Sequence, residues 1–101
     1  MPEHSRSYKD HLKKELKRKR EALNYLKACS EDDDPRVFLL GIKDVIDARE
    51  ITMVGLARQS GLSRESLHRM LSLKGNPSWL NINKVLGALG FNFTVEMRKA
   101  S

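Results

Sequence analysis

Apolar residues recur along this chain at two periods. Over Pro35 to about Ala48 the period is helical: Phe38, Ile42, Val45 and Ile46 fall at i, i+4, i+7 and i+8, with Lys43, Asp44 and Asp47 off the stripe. Asp34 supplies an N-cap and Pro35 is pre-shaped for a first helical turn. Two shorter helices follow. Thr52 caps one that ends at Ser60, with Gly61 in a left-handed turn, and Ser63 caps another running to about Leu73. KGNP closes it, and Ser78 or Asn76 starts a further helix whose Leu80, Ile82, Val85, Leu86 and Leu89 supply apolar contacts up to Gly90. Gly87 weakens that helix, and close approach of another element is one reason to keep a glycine there.

The two ends of the chain are patterned differently. From about Ser7 to Cys29, YKDHLKKELKRKREALNYLKAC contains good helix formers and neither glycine nor proline. Leu12, Leu16, Leu23 and Leu26 line one side and Lys19 interrupts the stripe, which predicts one amphipathic helix. It packs on its own domain or a subunit, or else lies as a basic arm along nucleic acid. At the other end, FNFTVEM alternates: Phe91, Phe93, Val95 and Met97 against Asn92, Thr94 and Glu96. A two-residue period predicts a half-buried β-strand. A lone strand leaves its backbone groups unpaired, so it pairs with a copy of itself across a two-fold axis or with another protein's sheet. The expected fold is therefore mainly α. Residues 1–30 form a basic amphipathic helix, and residues 31–101 a second unit ending in a strand over 91–97 that pairs across a homodimer.

The stretch LARQSGLSRESLHRML, Leu56 to Leu71, fits the helix-turn-helix template position by position with Met53 as its first residue. Ala57 is fifth, where a small side chain lets two helices cross; Gly61 is ninth, where the turn needs positive φ. Leu56, Leu62, Leu67 and Met70 fill four of five apolar positions, and Ser60 is the exception. With Leu67, Met70 and Leu71 inward, Arg64, Glu65, His68, Arg69 and Ser72 are left outward. Arg64 and Arg69 suit guanine, Glu65 suits cytosine, His68 donates or accepts, and Ser63 holds a phosphate. Thr52, Arg58, Lys74 and Asn76 are the further phosphate candidates. Blander readings stand beside these: a structural helical corner, an i,i+4 ion pair between Glu65 and Arg69, and an ordinary exposed His68.

Composition narrows the function classes. With 40% hydrophobic and 32% charged residues and no long apolar run or secretory segment, the chain is expected in the cytoplasm. One cysteine and three scattered histidines give neither an internal disulfide nor a set of metal ligands, and Cys29 reads as a packing residue. No nucleophile with an adjacent base, no paired carboxylates in an apolar setting and no glycine-rich phosphate loop argues for an enzyme, and no cofactor is expected. The net charge of +6 divides into three zones. Residues 1–30 carry nine Lys/Arg against four Asp/Glu (+5), residues 31–50 three against seven (−4), and residues 51–101 seven against two (+5). Capping accounts for Asp34 but not for all of EDDD.

Several stretches carry a family resemblance: YL at 25–26, DP at 34–35, FLL at 38–40, DV at 44–45, LAR and GLSRESL across 56–67, GNP at 75–77 and KVLGALG at 84–90. Across roughly residues 8–97 the chain resembles the probable addiction-module antidotes, the HigA-like antitoxins of the phage-repressor (XRE/Cro-type), lambda-repressor-like helix-turn-helix superfamily. The resemblance implies an antitoxin of a type II toxin-antitoxin module: a four- or five-helix domain that binds a palindromic operator as a dimer, represses its own transcription and neutralises a small RelE/HigB-like mRNA endonuclease. It also implies a final strand that pairs across the dimer. Two departures stand out. RKRE at 18–21 replaces a DP-type break, so the N-terminal helix is expected to be longer and more basic; and Ser30 stands where an apolar residue is common. An RNA-binding toxin should be basic, so Asp32, Asp33, Asp34, Asp44 and Asp47 are the expected toxin-facing residues. The alternatives are a stand-alone repressor without a toxin and an interaction module with a vestigial helical corner.

Overall fold

The computed structural model describes residues 6–74, 76–95 and 97. Six helices account for most of them: α1 Arg6–Leu16, α2 Lys19–Ser30, α3 Pro35–Ala48, α4 Met53–Ser60, α5 Arg64–Leu71 and α6 Trp79–Ala88. α3 is the organiser, because its face of Leu39, Ile42, Val45 and Ile46 is buried throughout and α1, α2 and α5 all pack against it. α4 bridges α5 and α6. Leu56, Leu67 and Val85, fully buried, carry the core from α3 through these three helices. Four of the expected caps form: Asp34, Thr52, Ser63 and Ser78 each accept a backbone N–H from the first turn of their helix.

The N-terminal region departs from the expected single helix. α1 stops at Leu16 and α2 restarts at Lys19, after Arg18 adopts an extended conformation (φ −82°, ψ 135°). Tertiary packing overrides propensity here. An unbroken helix of this length would run about 35 Å, beyond the roughly 21 Å of the fourteen-residue α3 on which both halves must lie. The break also changes which face is buried. Leu16 and Ala22, about 120° apart on a continuous helix, are both inside, whereas Leu23 of the expected stripe is 41% exposed. α2 now buries Ala22 and Leu26 fully and Tyr25 and Cys29 partly, a helical stripe one residue out of the expected register.

The C-terminal strand is also corrected: among the described residues no β-strand forms, and Glu96 lies outside them. A ladder needs a neighbouring strand, and the single chain offers none. The first half of the segment serves as an anchor instead. Phe91 N–H donates to the Leu86 carbonyl at 2.8 Å, and Phe93 stacks on Trp79 (ring centroids 4.1 Å apart) and leans on Phe38 at 5.7 Å. The alternation is then lost, since Val95 and Met97 are 99% and 94% exposed.

Close approach occurs at a different glycine from the one expected. A methyl group at Gly87 would meet nothing within 4 Å, whereas one at Gly41 would lie 2.8 Å from Cys29 Sγ. Gly41 is thus the small residue that lets α2 and α3 touch.

Candidate nucleic-acid interface

The α4–α5 corner is built by local chemistry. Thr52 Oγ1 accepts the Gly55 N–H at 3.0 Å, opening α4, and Gly61 at φ 80° closes it, its N–H donating to the Ala57 carbonyl at 2.9 Å. Ser60, the polar residue at an apolar template position, is buried and satisfied, since its hydroxyl oxygen accepts the Leu62 N–H at 3.2 Å. Ser63 Oγ accepts the Ser66 N–H and donates to Ser66 Oγ, both at 3.0 Å, so that its hydroxyl is engaged as a cap. Leu73, at φ 65°, turns the chain sharply after α5 in a left-handed conformation that costs a non-glycine residue about 1–2 kcal/mol.

These caps aim α5. Leu67, Met70 and Leu71 are buried, and Arg64, Glu65, His68, Arg69 and Ser72 are exposed on the opposite side. Ser72 Oγ donates back to the Arg69 carbonyl at 2.8 Å. Glu65 and Arg69 approach only to 3.9 Å with side chains 85% and 67% exposed. Such a pair is worth a few tenths of a kcal/mol, so it leaves Arg69 available. Arg58 and Lys74 are exposed, and Asn76 is exposed beyond Gly75, which lies outside the described residues. Asn76 is not placed with the α5 residues alone. It lines a groove of about 350 Å³ together with Asp32, Asp33, Phe38, Ile82 and Phe93.

The five acidic candidates fall into two places. In the α2–α3 connection Asp34 caps α3 and holds the Arg36 guanidinium at 2.9 Å, while Asp32 Oδ1 accepts the Asp34 N–H at 2.8 Å. The Arg36 hydrogen bond keeps the Asp34 carboxyl below the usual carboxylate range. Part of the EDDD run is thus turn-building. Asp33 is exposed at the rim of the 350 Å³ groove. Asp44 and Asp47 lie along α3, bordering a larger groove of about 850 Å³ under α1 with Tyr8, Lys9 and Lys13. Asp44 is half-buried and accepts the Tyr25 hydroxyl. Burial first, and that hydrogen bond second, push the Tyr25 phenol far above its ordinary value; burial, with the Asp44 charge adding to it, raises the Cys29 thiol. The Tyr25–Asp44 bond spans nineteen residues, and no local pattern announces it.

Among the described residues no cluster of His, Cys, Asp and Glu is arranged to hold a metal ion, and no helix is long and apolar enough to cross a membrane. A protein-family model described as probable addiction module antidote protein matches residues 8–97. An uncharacterized protein of Haemophilus influenzae is 33% identical over 75 residues, which span 74% of this chain and 75% of that protein. No solved structure matches the chain.

Proposed function

Since the chain belongs to the probable addiction module antidote family, we propose that it is an antitoxin of a type II module. In this reading it is a sequence-specific DNA-binding autorepressor that neutralises a basic, RelE/HigB-like mRNA endonuclease. The family implies a toxin partner. The observation that carries the DNA-binding part is the division of α5: three buried side chains fix the helix while Arg64, Glu65, His68 and Arg69 stand clear of the protein. The α4–α5 pair acts as a helix-turn-helix, and α5 enters a major groove about 12 Å wide. There Arg64 and Arg69 address guanine, Glu65 a cytosine amino group, and His68 a neighbouring base edge. Thr52, Ser63, Arg58, Lys74 and Asn76 hold phosphates, Ser63 through the α5 N-terminal amides that it orders.

A homodimer sets two such helices about 34–36 Å apart on a palindrome. Val95 and Met97, almost fully exposed, are apolar surface that a second copy would cover. For the toxin, the carboxylates of Asp33 and Asp47, and of Asp32, Asp34 and Asp44 beyond their internal partners, present the negative field that a basic RNA-binding protein seeks. The deciding experiment is operator binding by Arg64→Ala and Arg69→Ala. Each should lose about 1–3 kcal/mol and relax base preference at one position. Unchanged affinity and preference in both would remove α5 from the DNA.

A further inference from the structure

We propose that the turn between α1 and α2 is a second DNA contact, in which Lys17, Arg18, Lys19 and Arg20 hold backbone phosphates flanking the segment that α5 reads. The proposal rests on the DNA-binding reading above and extends the footprint to a part of the chain outside the α4–α5 corner.

Three observations lead to it. The first is uncompensated charge. Between positions 13 and 21 the chain carries six Lys/Arg and two Glu. All six cations are exposed, none has an ion-pair partner among the described residues, and Glu15 already faces His11 at 3.4 Å. The second is that three of these cations stand at the wrong end of a helix for stability. Lys13 and Lys14 lie in the last turn of α1, where the helix dipole favours positive charge. Arg18 is the N-cap of α2 and makes no capping hydrogen bond, and Lys19 and Arg20 are its first two residues, against the positive end of the same dipole. Ser, Asp or Glu at these positions would stabilise α2. Glu21 offsets part of this charge and Lys19 reaches the C-terminal end of another helix, but the Arg18 and Arg20 side chains break the rule with no bonded partner among the described residues, which marks positions shaped by binding.

The third observation is place. A methyl group at Gly90 would meet Lys19 Cε at 3.3 Å and Nζ at 3.4 Å, so Lys19 lies over the C-terminal end of α6. The adjoining Leu89 carbonyl accepts Arg49 Nη1 at 2.9 Å. Arg49 ends α3 three residues before Thr52, at most about 10 Å of chain. Lys19 and Arg49 thus meet at the same end of α6, and Arg49 leads into α4 within three residues. Each strand carries a phosphate for about every 3.4 Å of duplex axis, so a duplex held at Thr52 offers a continuous track of phosphates on towards that end of α6. Four adjacent cations with no bonded partner among the described residues suit such a track, which asks for charge rather than for one geometry.

The test compares the full-length chain with Arg18→Ser and with Arg18→Ser/Lys19→Gln/Arg20→Gln. The DNA probes are a duplex taken from immediately upstream of this chain's coding sequence and the same duplex trimmed to the segment protected by α5. Arg18→Ser supplies the missing cap, so Tm should rise by about 4 °C while DNA affinity falls. A purely structural role cannot produce both. The triple variant should flatten the slope of log affinity against log salt by about 2 to 3, near 0.9 per lost phosphate contact, on the long duplex only, with base preference retained. An unchanged salt slope on the long duplex overturns the proposal. So does a loss equal on long and trimmed duplexes, or a loss confined to toxin binding. These outcomes are separable from failure of the underlying reading, because that failure appears as insensitivity to Arg64→Ala and Arg69→Ala in the otherwise unaltered chain.

Discussion

At the α4–α5 corner three side chains and one glycine do the turning: Thr52 caps, Gly61 adopts φ 80°, Ser63 caps again, and buried Ser60 ties the turn to Leu62. At the α1–α2 corner no side chain does. Arg18 offers no capping bond, neither glycine nor proline is present, and the turn is held by backbone bonds such as Arg18 N–H to the Glu15 carbonyl at 3.0 Å. What breaks the helix there is the burial of Leu16 on one side and of Ala22 and Leu26 on the other, against a single short α3. One corner is specified by its own residues, the other by the surface it must cover. The first also fixes the end of α4 and the start of α5 by local bonds, before any tertiary contact is counted.

Four changes would break or sharpen this contrast. The largest effect is expected at the core beneath α5. Leu67→Ala, at a fully buried site, should cost about 2–5 kcal/mol in urea unfolding, and operator binding should follow the folded fraction. Next, Gly61→Ala places a Cβ in the left-handed region, where it meets no atom within 4 Å, so the cost is conformational alone, about 1–2 kcal/mol. A much larger loss would mean that the turn depends on packing as well. On the N-terminal side, Tyr25→Phe removes the donor to Asp44 and should cost about 1 kcal/mol at neutral pH. The sign of its pH dependence follows from the raised phenol. Its contribution is present below an ordinary tyrosine value of about 10 and is lost as pH climbs towards the folded one, so wild type should lose stability above pH 10 more steeply than Tyr25→Phe. The smallest change is a gain: Gly87→Ala, on the open face of α6, should add about 0.5–1 kcal/mol in thermal unfolding.

How much could be read in advance follows the same division. α3 to α6, their caps at Asp34, Thr52, Ser63 and Ser78, and the inward and outward faces of α5 were legible, because each rests on residues within four positions of one another. The α1–α2 break was not, since the residues around Lys17 are good helix formers and only the length of α3 forbids them to continue. The Tyr25–Asp44 bond, the stacking of Phe93 on Trp79 and the Gly41 contact join residues far apart in sequence and leave no periodic trace. FNFTVEM alternates as a strand would, yet a strand is a property of two segments, and here the first two aromatics find a ring and a core instead of a ladder, while Val95 and Met97 stay exposed. Among the acids, charge alone grouped five residues; hydrogen bonding separates Asp34 and Asp44, which hold the protein together, from the more open Asp33 and Asp47.

The contact between Gly41 and Cys29 gives the molecule a built-in clock. Cys29 is the chain's one thiol, half-covered and held against the backbone of α3, with its ionisation pushed up by burial. A bulky alkylating reagent therefore reaches it fastest when α2 lifts from α3. Alkylation rate against denaturant, compared with global unfolding, measures whether the N-terminal pair of helices detaches as a separate cooperative unit. The same thiol, timed with and without the operator duplex, tests whether the proposed grip on the basic turn also holds α2 in place.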